Sequence, residues 1–175
     1  MPLNKPRENI TAPDSFLNII NKYTFDPHVQ LSRSIDIAAG LEHVFHYVER
    51  IGGESGWYTF NWLIDVRRFL SMKFKSHRSG FKVLSIGDRV DMFKVADIEM
   101  NKYLILAFEN DMLDGVFCFY LEKSDVNITT LYAATHFSFK NTSGKIYWIF
   151  VRPFDKILQK RMLINIKKLA EKLNL

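Results

Sequence analysis

Apolar and polar residues alternate along the segment DPHVQLSRSIDI, which predicts the first long strand of the chain. Val29, Leu31, Ile35 and Ile37 fall on one side of the alternation, as expected for a strand with one buried face. Arg33 falls on that same side and conflicts with the pattern. Upstream, apolar residues at helical spacing predict a short N-terminal helix.

The pattern then changes to helical spacing. The segment GLEHVFHYVERIGG has apolar residues three and four positions apart and ends in two glycines, which predicts an amphipathic helix. A second helix is predicted in the window GWYTFNWLIDVRRFLSMKFK, residues 56–75. This window holds many more aromatic and aliphatic residues than one apolar stripe needs. It is therefore either enclosed by protein or part of a binding site.

From residue 81 onward the pattern predicts strands and then a helix. Four β-branched and aromatic runs separated by turn signals predict an antiparallel meander. Pro153 lies inside the C-terminal helical pattern, so we expect the regular helix to begin near it or to kink there. The element order predicts an α+β fold in which a curved antiparallel sheet wraps around a long C-terminal helix and two short helices cap a cavity. The apolar positions that define the C-terminal helix are Tyr147, Val151, Phe154, Leu158, Met162, Ile166, Leu169 and Leu173.

Length and composition narrow the range of functions. The chain has 175 residues, enough for one core, and we expect residues 1–28 to form an N-terminal extension and 29–175 a single domain. Cys118, the only cysteine, lies in an apolar run, which favours a buried thiol. We recognise neither a secretory signal nor a membrane span, so a cytoplasmic protein is expected.

Charge and chemistry give weaker signals. The net charge of +5 permits attraction to nucleic acid or membrane without indicating either, and there is no strong signal for nucleic-acid binding because the aromatics occupy core-like positions. His43 and His46 lack a third ligand at fixed spacing, so no metal site is predicted, and no cofactor motif is found.

Asp91 and Glu109 are candidate proton donors or acceptors. Glu109 beside Phe108 would have a raised pKa if aromatic residues desolvated it, although a solvent-exposed acid at a strand end is favoured.

Three segments carry a resemblance to a known family. The element order resembles the helix-grip fold of the START-like superfamily, which includes lipid-transfer START domains and polyketide cyclases and dehydratases. The segments GGESGWYTFNWLIDVRRFL, IGDRVDMFKV and YWIFVRPFDKILQKRML are similar to an uncharacterised family within it, over residues 29–170. Asp155 stands where that family has a histidine. The matching positions are Gly56, Trp57, Tyr58, Asn61, Trp62, Leu63, Gly87, Asp88, Asp91, Phe93, Val95, Glu109, Tyr147, Trp148, Pro153, Phe154 and Met162.

The resemblance implies two classes of function. The first is binding of a small hydrophobic or amphipathic molecule in a cavity between the sheet and the C-terminal helix. The second is a cyclase, dehydratase or isomerase-type enzyme, or an accessory domain acting with an NAD-binding oxidoreductase, because the family is often fused to such domains. The chain lacks a Gly-rich NAD-binding motif and is expected to be the standalone form. The predicted cavity residues are Trp57, Tyr58, Asn61, Trp62, Asp91, Phe93, Glu109, Phe117, Tyr132, His136 and Trp148.

Overall fold

The computed structural model describes residues 5–8, 10–24, 26–52, 56–58 and 83–172. Most of the helix predicted for 56–75 lies outside the described residues, and 56–58 form a turn. The elements in chain order are β1 (Arg7–Glu8), α1 (Asp14–Ile20), β2 (Val29–Ile37), α2 (Leu41–Val48), β3 (Arg89–Val90), β4 (Phe93–Glu99), β5 (Tyr103–Glu109), β6 (Leu113–Asp125), β7 (Ile128–Phe139) and α3 (Thr142–Lys172).

The strands form one curved antiparallel sheet in the order β1-β2-β7-β6-β5-β4-β3. Strands β3 to β7 follow each other as a meander, as the sequence predicts, and β2 pairs with β7 along its whole length. The short β1 extends the sheet beyond β2. The predicted α+β fold, a curved sheet around a long C-terminal helix, is confirmed.

Alternation along the strands sorts side chains onto two faces, each with its own apolar cluster. The inner face packs against α2 and α3 and includes Leu106, Phe119 and Leu131. The outer face is covered by α1, whose Phe16 stacks on Tyr120 with ring centroids 5.1 Å apart. Cys118 lies on this outer face as the expected buried thiol, and burial raises its pKa well above the ordinary value.

The helix α3 is longer than the sequence predicts. It begins at Thr142, where the Asn141 side chain accepts a hydrogen bond from the Gly144 amide at 2.9 Å. Of the two alternatives expected at Pro153, a helix that begins near it is wrong, because Pro153 lies well inside α3. The other alternative, a kink at Pro153, stays a prediction. Proline removes one backbone hydrogen bond, and the packing of neighbouring side chains on the sheet offsets that loss.

The face that α3 buries also differs from the prediction in its first half. Leu158, Met162 and Ile166 are buried as predicted. Upstream of them, Val151 is also buried as predicted, but Trp148 and Asp155 are buried in place of Tyr147 and Phe154. Two polar side chains, Asp155 and Gln159, consequently face the inner side of the sheet.

Candidate functional site

Aromatic rings pack against one another in one part of the interior between the sheet and α3. Trp57 lies 5.1 Å from Phe93 and 6.0 Å from Phe117, measured between ring centroids. Phe93 contacts Phe108, and Phe108 contacts Phe137. Phe137 in turn contacts Trp148 of α3 with ring centroids 4.7 Å apart, so the ring contacts are continuous. All of these rings are buried. The aromatic cluster is Trp57, Phe93, Phe108, Phe117, Phe137 and Trp148.

Two hydrogen bonds hold the loop that carries Trp57. The indole Nε1 of Trp57 donates to the carboxylate of Asp91 at 2.7 Å, in the β3–β4 turn. The side-chain amide of Asn165 on α3 donates to the backbone carbonyl of Tyr58 at 2.6 Å. Asp91 has φ of 54°, a left-handed conformation that Asp tolerates better than most residues. The turn and the helix thus fix Trp57 against the aromatic cluster.

Four polar side chains form a buried row beside the aromatic cluster. We call Arg33, Thr135, Asp155 and Gln159 the polar row; each is at most 6% exposed. Arg33 Nη1 donates to Gln159 Oε1 at 2.8 Å. Gln159 Nε2 donates to Thr135 Oγ1 at 2.9 Å and to Asp155 Oδ2 at 2.7 Å. The row therefore connects β2, β7 and α3.

The guanidinium of Arg33 keeps unused hydrogen-bonding capacity. Within the part of the chain that the structure describes, its buried Nε has no hydrogen-bond partner. The nearest carboxylate, on Glu8, is 3.9 Å from Nε and belongs to a side chain that is 45% exposed. Buried donors are normally satisfied because desolvation of an unpaired polar group is costly. Arg33 therefore keeps a buried, charged donor without a hydrogen-bond acceptor among the described residues.

The polar row and the aromatic cluster are direct neighbours on the sheet. Thr135 of β7 lies opposite Phe117 of β6 in the strand register. Side chains of such cross-strand pairs have Cβ atoms about 4.5–5.5 Å apart. Arg33 lies opposite Ala133, the next inward-facing position along β7. The polar row therefore lies directly beside the aromatic cluster on the inner face, where Thr135 and Arg33 stand among apolar neighbours of β7 and β2.

The structure brings together five of the predicted cavity residues and holds a sixth beside them. Trp57, Phe93, Phe117 and Trp148 belong to the aromatic cluster, and Asp91 bonds to the first of them. The half-buried Tyr58 packs at the edge of the same core. Asn61 and Trp62 lie outside the described residues.

Tyr132 and His136 do not face this interior. Odd-numbered residues of β7 face α3, so these two even-numbered residues lie on the outer face. Tyr132 packs against Phe16, and its hydroxyl donates to Glu122 at 3.2 Å. His136 is buried, its Nδ1 has no hydrogen-bond partner among the described residues, and desolvation lowers its pKa.

Glu109 is exposed at the end of β5. Its carboxylate accepts a hydrogen bond from the Lys140 ammonium at 2.6 Å. That hydrogen bond and the positive charge lower the pKa of Glu109. A proton donor desolvated by aromatic residues would instead have a raised pKa.

The histidine and acidic side chains of the described residues form no metal-binding group. Within the described ranges, no three His, Cys, Asp or Glu side chains are grouped so that they could hold a metal ion. An open pocket of about 320 Å³ lies between the start of α2 and the β6–β7 turn, and its lining includes His43, Lys123 and Asp125.

Sequence reasoning missed the polar row as a site. One signal was present, because Arg33 broke the apolar side of the β2 alternation. Asp155 and Gln159 gave no such signal, since periodicity places apolar residues inside by assumption. Thr135 is a common strand residue and did not stand out.

The curved antiparallel sheet and the long C-terminal helix define the class of fold, the helix grip. Solved structures share this fold. The Zhui aromatase/cyclase from Streptomyces sp. R1128 matches at 10% identity over 84% of this chain and 96% of that chain, with a TM-score of 0.50. A conserved protein from Geobacillus kaustophilus matches at 15% identity over 82% and 96%, also at 0.50. A START superfamily protein from Mycobacterium smegmatis matches at 12% over 82% and 98%, at 0.49.

The chain belongs to the family described as "Protein of unknown function (DUF2867)", whose model matches residues 26–162. This confirms the resemblance to an uncharacterised family. Among curated proteins, none matches the sequence. In the described residues, no helix has both the length and the apolar character needed to cross a membrane.

Proposed function

We propose that this protein binds a small amphipathic molecule between the sheet and α3, with the apolar body against the aromatic cluster and an anionic group at Arg33. The observation that carries the proposal is the direct adjacency of the polar row and the aromatic cluster on the inner face. Ligand sites in proteins are mostly apolar and contain a few placed polar groups. This interior has that composition.

The polar row is difficult to explain by packing alone. A core that only stabilises the fold gains most from apolar side chains, and a buried ionic group that is replaced by apolar residues of similar size often leaves stability unchanged or improved. Arg33 instead lies in the interior, and its Nε has no hydrogen-bond acceptor among the described residues and only a long contact of 3.9 Å with the Glu8 carboxylate. A guanidinium binds carboxylate and phosphate oxygens through paired hydrogen bonds, so either group matches this donor set.

Two experiments test binding in the interior. Native mass spectrometry of the protein purified from its own host is expected to show a small-molecule adduct. Titration with dodecanoate, followed by tryptophan fluorescence, is expected to change the emission because Trp57 and Trp148 lie in the aromatic cluster. Absence of both an adduct and a fluorescence change would contradict the proposal.

A pair of neighbouring substitutions locates the binding face. Phe117 and Val116 are adjacent on β6 and lie on opposite faces of the sheet. Phe117→Ala is expected to weaken dodecanoate binding about tenfold or more, since the apolar contact of a whole ring is lost. Val116→Ala is the control and should leave affinity unchanged once both variants are shown to be folded.

An enzymatic function has one observation in its favour. Asp155 is a buried carboxyl group in the polar row, hydrogen-bonded to Gln159. A carboxyl group in that position could exchange a proton with a bound molecule, as a cyclase, dehydratase or isomerase requires. Turnover of a bound compound that is lost in Asp155→Asn, with binding retained, would support this second candidate.

A further inference from the structure

The outward side of α3 carries a row of exposed apolar side chains. Ile149 and Phe150 are 68% and 67% exposed, and the other members are between 40% and 54% exposed. Their spacing of three and four residues places them on one side of the helix. We call this set the exposed row: Ile146, Ile149, Phe150, Phe154 and Ile157.

The exposed row cannot be covered by the sheet that α3 packs against. Gly144, Trp148, Val151, Asp155 and Leu158 form the buried side of this part of the helix. At about 100° per residue, the exposed row is centred on the side roughly opposite to them. Five bulky side chains at these exposures present on the order of 500 Å² of apolar surface, and patches of that size are often functional.

The charges around the exposed row are almost all positive. The first twenty residues of α3, 142–161, contain a single acid, Asp155, and that side chain is buried. The basic residues of this stretch are Lys145, Arg152, Lys156, Lys160 and Arg161. The surface that surrounds the apolar row therefore favours an anionic partner.

This charge argues against a second copy of the chain as the partner. A two-fold interface brings the same patch of both copies together. Pairing through the exposed row would place basic residues of one copy close to those of the other, with no exposed acid in 142–161 to compensate. Like charges held together in this way oppose association.

We propose that the exposed row of α3 is a docking surface for an anionic lipid bilayer. A helix with bulky apolar residues on one side and flanking Lys and Arg matches the pattern of helices that lie in the membrane interface. The acids Glu109 and Asp111 lie beside the start of the helix, near Lys140 and Asn141. The contact is therefore centred on 149–157, away from these acids.

Vesicle binding of the full chain tests the proposal. We expect the protein to sediment with vesicles of phosphatidylcholine and phosphatidylserine at a ratio of about 7:3, and much less with phosphatidylcholine alone. Raised salt should weaken the binding, because screening reduces the attraction of the basic residues to the surface. Equal binding to both vesicle types, or binding to neither, would overturn the proposal.

Matched variants distinguish docking through the exposed row from nonspecific adsorption of any exposed apolar residue to the vesicles. Phe150→Ser combined with Ile157→Ser is expected to reduce vesicle binding about tenfold, since two inserted side chains are lost. Met100→Ser combined with Val126→Ser removes two apolar residues elsewhere that are more exposed than Phe150 and Ile157, and should leave binding unchanged. An equal loss in both pairs would contradict docking through α3.

Charge variants and the oligomeric state complete the test. Arg152→Gln with Lys156→Gln should lower binding to the anionic vesicles, while Lys168→Gln, an exposed site later in α3, should change it little. If the wild type instead forms a dimer that Phe150→Ser dissociates, the row is a self-association surface and the membrane proposal fails. All variants change exposed residues, so unchanged thermal unfolding is the check on folding.

Discussion

At the scale of single residues, the polar row explains how Arg33 is tolerated inside the fold. The side-chain oxygen of Gln159 accepts a hydrogen bond from Arg33, and its side-chain nitrogen donates to Thr135 and Asp155. The Gln159 amide is thus the only link, among the described contacts, between the guanidinium and the other members. Removal of this amide should affect more than one hydrogen bond.

Gln159→Leu is expected to lower the free energy of unfolding by about 2–3 kcal/mol. The substitution leaves Arg33 buried without its acceptor, and hydrogen bonds to charged groups are worth about 1.5–3 kcal/mol. Thr135→Val is the control, because it removes one neutral hydrogen bond at nearly constant volume and should cost about 1 kcal/mol. Urea unfolding measures both values. Equal costs would show that Arg33 does not depend on Gln159.

His136 should make stability depend on pH. Burial lowers its pKa in the folded state, so the unfolded chain binds a proton more readily. Stability is then complete above the unfolded pKa of about 6.5, and falls as the pH drops through that value toward the lower folded pKa. The slope can approach about 1.4 kcal/mol per pH unit for one group.

Replacing His136 should flatten this part of the profile. His136→Phe is expected to remove the loss of stability below about pH 6.5. His43→Gln, at an exposed position on α2, should keep it. Thermal unfolding across this range makes the comparison, and an unchanged profile in His136→Phe would show that another group is responsible.

At the scale of elements, β6 and β7 approach each other too closely for a side chain at Gly115. A Cβ atom there would collide with the His136 carbonyl and with Phe137. Gly115→Ala is therefore expected to cost about 1–3 kcal/mol in urea unfolding. Gly40→Ala is the control: the nearest atom is His43 Nδ1 at 3.9 Å, and the change should stay within about 0.5 kcal/mol. A tolerated Gly115→Ala would mean that the strands can separate locally.

The strands could be predicted because each has one side that is apolar along most of its length. In β2 the inward positions Ile35 and Ile37 are buried, and the meander from β3 to β7 follows the predicted runs. Turn signals fixed where the strands end. The order of β3 to β7 followed because neighbouring strands in a meander pair with each other, whereas the pairing of β2 with β7 and the short β1 were not predicted.

The helix α3 was harder to predict, for a physical reason. Its first half is apolar on two sides: Trp148 faces the sheet and Phe150 faces solvent. Periodicity alone cannot choose between two apolar sides, so the predicted face included Tyr147 and Phe154 instead of Trp148 and Asp155. The same ambiguity hid Asp155 and Gln159, and with them half of the candidate site.

At the scale of the whole molecule, the fold places two different surfaces on one helix. The inner side of α3 completes an interior with an aromatic part and a charged part. The outer side presents apolar residues among basic ones. We infer that the inner surface determines which molecule is bound, and that the outer surface determines where the protein is held.

The most direct measurement of the central claim is calorimetric titration with dodecanoate and with its uncharged methyl ester. The wild type should bind the carboxylate about tenfold or more tightly, because Arg33 pairs with it, and dodecyl phosphate tests the other anionic group. Arg33→Gln should remove the preference while ester binding remains, and Arg33→Lys should retain part of it. Equal binding of acid and ester by the wild type would contradict the role of Arg33, and binding of none of these ligands would contradict the site itself.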